Sequence, residues 1–318
     1  MHLSFFYRYD RLGNKSTNEI LLKTKDWILF ILLGTIWSAS FLWIKIAIRE
    51  IGPFTVVAFR VLFGMLFAGA ITLYLRSKWP RDAMTWGVFA LLGVTSIALP
   101  FSLITWGELS IDSAVASILN ATVPLFTIII AHLFLKDDRM TVPRVFGLLV
   151  GFSGVVILLS KDVSAGSHNS VIGQAAVILA SFFYAASSVY ARIKTVHVPS
   201  LVRGAAPLLS ATLVMWMIAP VAENPFNIPS IPLTWVALLW LGVLGSGLAL
   251  ILWYYLLHEI GPTRTTLVTY IFPLGGVILG VVFLDEPLSW QLLVGAALII
   301  VSIAVVNWKP RQRTTGER

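Results

Sequence analysis

The sequence predicts an all-α integral membrane protein of ten transmembrane helices arranged as two inverted five-helix repeats. Three observations lead there. The 318-residue chain is 58% hydrophobic and only 12% charged, with a mean hydropathy of +0.87, more apolar surface than a soluble domain can hide. Its apolar stretches run close to about twenty residues without alternation, a length that crosses hydrocarbon as a helix and excludes a barrel of short alternating strands. The two halves of the chain also align with each other. There is no Cys, so disulfides, thiolate nucleophiles and Cys-based metal sites are excluded.

Hydropathy places the spans near residues 27–47, 53–75, 83–107, 113–135, 142–160, 171–191, 200–221, 234–257, 263–284 and 289–308. Pro53, Pro199 and Pro262 stand at the starts of the second, seventh and ninth spans, where a missing N–H costs nothing. Residues 1–26 are polar and basic, without a cleavable leader pattern, and are expected to be a cytoplasmic N-terminal tail; 309–318 form the matching C-terminal tail. The connections are too short for a soluble domain, which puts function inside the bundle.

Of the 23 Lys and Arg residues, 19 fall on the side of the two termini, while only Lys45, Arg49 and Lys161 fall on the other and Arg60 lies within a span. Positive residues mark the cytoplasmic side, so both termini are expected to be cytoplasmic. The net charge of +8 is scattered singly between apolar spans. It fits topology and the lipid bilayer, with no nucleic-acid partner expected.

Trp37-Ser38-Ala39-Ser40 aligns with Tyr184-Ala185-Ala186-Ser187 at an offset of 147, Leu92-Gly93-Val94 with Leu241-Gly242-Val243 at 149, and Pro124 with Pro273 at 149. Each repeat, 27–160 and 171–308, therefore holds five spans. Five is odd, so the second enters the membrane upside down. Loops 76–82 and 136–144 are basic while their counterparts, 222–233 and 285–289, carry no Lys or Arg, as an inverted repeat requires. Such repeats recur in transporters that expose one site alternately to each side.

The chain resembles the EamA family of the drug/metabolite transporter (DMT) superfamily over both halves. The resemblance rests on Gly34-Thr35-Ile36-Trp37-Ser38-Ala39-Ser40-Phe41, on Pro124 and Pro273 in the fourth and ninth spans, and on the acidic turn Phe283-Leu284-Asp285-Glu286-Pro287-Leu288. In the first repeat that turn reads Leu135-Lys136-Asp137-Asp138-Arg139, with Asp138 where the family usually has Glu. The resemblance implies a bundle with a central cavity that moves amino acids, nucleosides or similar metabolites, often outward, and a bacterial inner membrane is the expected location.

Trp37, Ser40 and Trp43 recur at i, i+3 and i+6, as do Tyr184, Ser187 and Tyr190, which puts each set toward one helix face near mid-bilayer. They are candidates for the substrate wall, against interhelical packing as the alternative. Lys45 and Arg60 lie inward of the turn at Gly52-Pro53. They either snorkel to the outer headgroups or attract an anionic group of a small-molecule substrate. Asn120 and Thr269 precede Pro124 and Pro273 by four residues, where a kink frees backbone carbonyls and makes each proline a candidate hinge. No acidic residue occupies the middle of a span; Glu108 and Asp112 flank the turn after the third. That favours uniport or exchange, or coupling through His132, over a carboxylate relay.

Gly147 to Gly151 and Gly276 to Gly280 are spacings for close helix packing within the chain or between two copies, as in a homodimer. An intramembrane enzyme would need a nucleophile with its base or a metal set, and neither is present; no catalytic residue, metal or cofactor is expected. A structural or receptor-like membrane protein remains the other alternative. A channel is disfavoured by the lack of a charge ring or filter-like Gly run.

Overall fold

The computed structural model describes residues 24–135, 140–164, 166, 168–223 and 227–306, so residues 1–23 of the N-terminal tail, the C-terminal tail and the acidic turn around Asp138 lie outside the described residues, while residues 24–26, expected in the tail, already belong to the first helix. The helical spans are α1 (Thr24–Ala47), α2 (Pro53–Tyr74), α3 (Ala83–Gly107), α4 (Ser113–Phe134), α5 (Val142–Ser164), α6 (His168–Thr195), α7 (Ser200–Ala222), α8 (Pro232–Ile260), α9 (Pro262–Leu284) and α10 (Trp290–Val306). Among the described residues there is no strand. Nine of the helices are long and apolar enough to cross a membrane, and α10 is a shorter apolar helix. The chain is a multi-pass integral membrane protein.

Packing follows the repeat. α2 meets α7, α4 meets α9 and α5 meets α10; the α1–α9 contact has its counterpart in α6–α4, α2–α8 in α7–α3, and α3–α6 in α8–α1. A pair of repeats related by a twofold axis in the membrane plane produces such reciprocity, and the arrangement is consistent with inverted halves. Without a hydrophobic drive between helices in lipid, closeness comes from small residues. A Cβ on Gly154 of α5 would stand 2.9 Å from the carbonyl oxygen of Gly295 in α10. Gly276 lies against Ser117 of α4 and Gly151 against Leu125 and Ser302, so these glycines of the small-residue spacings pack within the chain.

Four helices depart from α geometry, at matching places in the two halves. In α3, Val94–Ala98 is a π-turn, and in α8, Trp240–Leu248 is one. α4 breaks between Asn120 and Val123. α9 passes through a 3₁₀ segment at Thr266–Tyr270 before resuming at Ile271. Pro124 has no N–H for the Asn120 carbonyl, which explains the break in α4.

We call the ends of the bundle outer and inner after the orientation expected from the charges. At the outer end three carboxylates each cap the start of a helix that is not their own. Glu50, after α1, accepts from Ser230 N (2.5 Å), Ser230 Oγ (2.7 Å) and Ile231 N (2.9 Å) at the start of α8. Glu223, after α7, accepts from Phe54 N (2.7 Å), Thr55 N (2.9 Å) and Thr55 Oγ1 (2.5 Å) at the start of α2. Glu286, after α9, accepts from Ser113 N (2.6 Å) and Ala114 N (2.9 Å) at the start of α4. Anions belong at helix N-termini, where free N–H groups and the helix dipole converge. At the inner end, α3 is capped by its own Asp82 through Thr85 N (2.7 Å), and α7 has no side-chain cap. The inner end is held by ties of another kind, Arg192 Nη1 donating to the carbonyls of Leu257 (3.4 Å) and His258 (3.3 Å) at the end of α8 and Tyr255 donating to Asp26 Oδ1 (3.3 Å) at the start of α1.

Hydrogen bonds from Thr234, and then Ser230 and Ile231, hold the Glu50 carboxyl down at about 2, against an ordinary 4.5. A depressed carboxyl stabilises the fold above its ordinary value and loses that contribution as pH falls through its folded value. The contribution of this tether is therefore expected to be complete at neutral pH and to vanish between about pH 4.5 and 2. The check is the melting temperature of the detergent-solubilised protein against pH: in Glu50→Gln the part of the acid-side decline owed to this group disappears.

Candidate functional site

The irregular stretches of α3, α4 and α9, together with α1, α2, α6 and the part of α8 that follows its π-turn, surround a central cavity of about 780 Å³, counting the part open to solvent. The sequence placed ten candidate substrate residues, and seven line this space: Trp37 and Ser40 from α1, Arg60 from α2, Asn120 from α4, Tyr184 and Ser187 from α6, and Thr269 from α9. The other three do not. Trp43 packs on Trp240 with ring centroids 5.8 Å apart, and Tyr190 packs into the apolar cluster around Phe89 and Tyr254. Lys45 donates to the carbonyls of Glu108 (2.6 Å) and Ile111 (2.7 Å), closing the C-terminal turn of α3. The i, i+3, i+6 set spans too wide an arc for all its members to face one space.

Local helix geometry positions the cavity residues. In an α-helix the amide of Ala249 would go to Gly245; here it goes to Leu244 and Ser246, which leaves the Gly245 carbonyl to side chains of other helices. It accepts from Trp37 Nε1 at 2.9 Å and Arg60 Nη2 at 3.4 Å. The π-turn in α3 likewise sends the Leu99 amide to Val94, and Thr95 there takes a hydrogen bond from Ser187 Oγ at 3.0 Å. Asn120 Oδ1 accepts from Ser181 Oγ at 3.3 Å.

Arg60 is the one cation among the cavity-lining residues. It is 4% exposed, with Nε donating to Ser246 Oγ at 3.0 Å and Cζ 3.7 Å from the centroid of the Phe101 ring. It points into the bundle and does not snorkel. Among the described residues it forms no ion pair, so its charge is held by a hydroxyl, a carbonyl and an aromatic face. The remaining wall is aromatic and aliphatic: Trp37 stands 5.3 Å from Trp253 and 6.2 Å from Phe272, and Tyr184 is 6.4 Å from Phe101. Such a site can hold a small molecule with one anionic group and an apolar body.

The sequence did not single out Trp253 or Tyr254, which complete the wall, nor the three capping carboxylates as ties. Trp253 comes from α8 and meets Trp37 only in the folded bundle, with ring centroids 5.3 Å apart. Arg203, on α7, is fully buried with its guanidinium 5.1 Å from the Tyr254 ring. His132, the alternative coupling residue, is exposed at the end of α4 and accepts from Met140 N at 3.0 Å, away from the cavity. Among the described residues no three His, Asp or Glu side chains gather as a metal site.

A helical bundle that holds a largely apolar cavity with one buried cation between two like halves has the architecture of a membrane transporter. The pattern of the EamA-like transporter family matches residues 25–160 and 171–308, and the chain belongs to that family. It is 29% identical over 288 residues to an uncharacterized transporter of Archaeoglobus fulgidus, covering 89% of this chain and 98% of that one. It is 26% identical to the inner membrane transporter YedA of Escherichia coli K12, covering 86% and 88%. It is also 26% identical to a protein of Streptantibioticus cattleyicolor named a probable terminal-alkyne amino-acid exporter, covering 92% and 95%. A solved crystal structure shares the fold, with a TM-score of 0.66 at 21% identity over 89% of this chain and 97% of that one.

Proposed function

We propose that this transporter carries amino acids, or closely related carboxylates with apolar side chains, outward across a bacterial inner membrane by alternating access, with both termini cytoplasmic. The observation that supports it is the buried guanidinium of Arg60, without an ion pair among the described residues, in a cavity otherwise walled by aromatic, aliphatic and uncharged polar side chains. A charge at that depth is costly unless a counter-ion or water answers it, and a substrate carboxylate meets the guanidinium edge with parallel hydrogen bonds. The aromatic faces of Trp37, Trp253 and Phe272 suit an apolar side chain. Outward movement and an amino-acid cargo agree with the printed name of the Streptantibioticus relative. Nucleosides, the other class the family resemblance implies, have no carboxylate for Arg60.

The reading is tested by counterflow in proteoliposomes. Vesicles preloaded with an unlabelled L-amino-acid mixture should take up the same mixture in labelled form, and nucleosides should not exchange. Absence of flux for every amino acid, or preferential exchange of nucleosides, overturns it.

A further inference from the structure

The outer turn after α3 holds a carboxyl that the cavity does not use. Glu108 directly follows Gly107, the last residue of α3, and Ile104, one turn earlier, lines the cavity beside Arg60. Glu108 is 0% exposed, and among the described residues neither of its carboxyl oxygens has a hydrogen-bond partner. The neighbouring ammonium, Lys45, binds the main chain of this turn at the carbonyls of Glu108 and Ile111.

Three charged groups act on it, and a fourth follows it in sequence. Lys45 from α1 and Arg60 from α2 favour the ionised carboxylate, while Glu286, from the turn after α9, opposes it; Asp112 lies in the same turn. From α6, Gly173 and Val177 pack on Gly107, and the stretch between them has no titratable residue. A carboxylate shut off from solvent and without a protein donor is expensive, whereas a neutral carboxyl in the same place costs less. Burial outweighs the two cations and raises the proton affinity of Glu108 above the ordinary carboxyl range.

We propose that Glu108 is a proton-binding site of the carrier, linked through Arg60 to the substrate site, so that a proton and a carboxylate substrate bind and cross the membrane together. A carboxylate bound on Arg60 cancels a positive charge that favours ionised Glu108, so occupancy of the cavity strengthens proton binding. Linkage is reciprocal, and the bound proton strengthens carboxylate binding by the same factor. The proton comes from water on the side to which the site is open, forms the O–H bond of the Glu108 carboxyl, and returns to water on the other side. No other co-reactant takes part. Only the substrate half of this proposal rests on the amino-acid reading above.

Two measurements test it. Infrared titration of the reconstituted protein should show the carbonyl stretch of a buried protonated carboxyl whose midpoint moves to higher pH when the amino-acid mixture is added, lost in Glu108→Gln and kept, with a shifted midpoint, in Glu108→Asp. Vesicles with a trapped pH dye and a labelled L-amino-acid mixture should show protons moving in the same direction as the amino acids. Their ratio should fall about tenfold in Glu108→Gln and recover in Glu108→Asp. A band unchanged in Glu108→Gln, or an unchanged proton-to-amino-acid ratio, overturns the proposal. If the wild-type protein moves no amino acid, the transport reading fails, and the infrared band alone decides whether Glu108 holds a proton.

Discussion

Arg60→Met is expected to lower kcat/KM for carboxylate substrates about a hundredfold, a loss of about 2.7 kcal/mol, the scale of charge-assisted hydrogen bonds in a buried site. The amide of the same substrate should lose little, so the preference for acid over amide collapses toward unity. The protein should still fold. Methionine fills the stem volume, and a buried charge replaced by an apolar group of similar size is often neutral. The partners left behind are not orphaned either: Ser246 Oγ donates to Leu241 O at 3.0 Å, and the Gly245 carbonyl keeps the Trp37 indole. Steady-state uptake of matched acid and amide pairs checks this, and a preserved acid preference would remove Arg60 from substrate binding.

Glu286→Ala is expected to release the outer end of α4. The side chain is 8% exposed and accepts from both Ser113 N and Ala114 N, and its removal leaves two donors at a helix start without their acceptor, at about 1–2 kcal/mol. That is enough to shift a two-state equilibrium about tenfold toward an outward-open form. The chain has no Cys, so a single Ser40→Cys in the cavity wall reports cleanly. An impermeant thiol reagent added outside should label it about tenfold faster in the Glu286→Ala background. Glu286→Gln, which keeps one acceptor, should fall between the two. Equal labelling in all three would mean that this cap does not hold the outer end closed.

The helix pattern was legible because lipid demands long apolar helices, and the repeat was legible because Trp37, Ser40, Pro124 and their counterparts survive at nearly constant offset. Seven candidates line the cavity for the same reason: polar and aromatic residues deep in a span need a protein or water neighbour. Trp43 and Tyr190 look the same in sequence, and only the rotation of their helices separates them from the wall. Lys45 and Arg60 sit at similar sequence distance from one turn, yet one closes a helix end and the other enters the cavity, a difference set by which neighbour offers free carbonyls. Glu108 was passed over because depth was counted along the span. Its burial arises from α1 and α6 closing over the turn, a contact between segments far apart in the chain. The π-turns had no local signal beyond the Gly-rich run Gly242–Gly247.

The Gly245 carbonyl has a consequence beyond holding Trp37 and Arg60. It belongs to the stretch of α8 where the regular ladder is interrupted, and one of its two ties comes from the group that would grip a guest molecule. A guest that draws the guanidinium toward itself slackens that tie at the place where the helix is easiest to bend. Detection of cargo and loosening of the joint are then one event at one oxygen atom, and the machine needs no separate messenger between them.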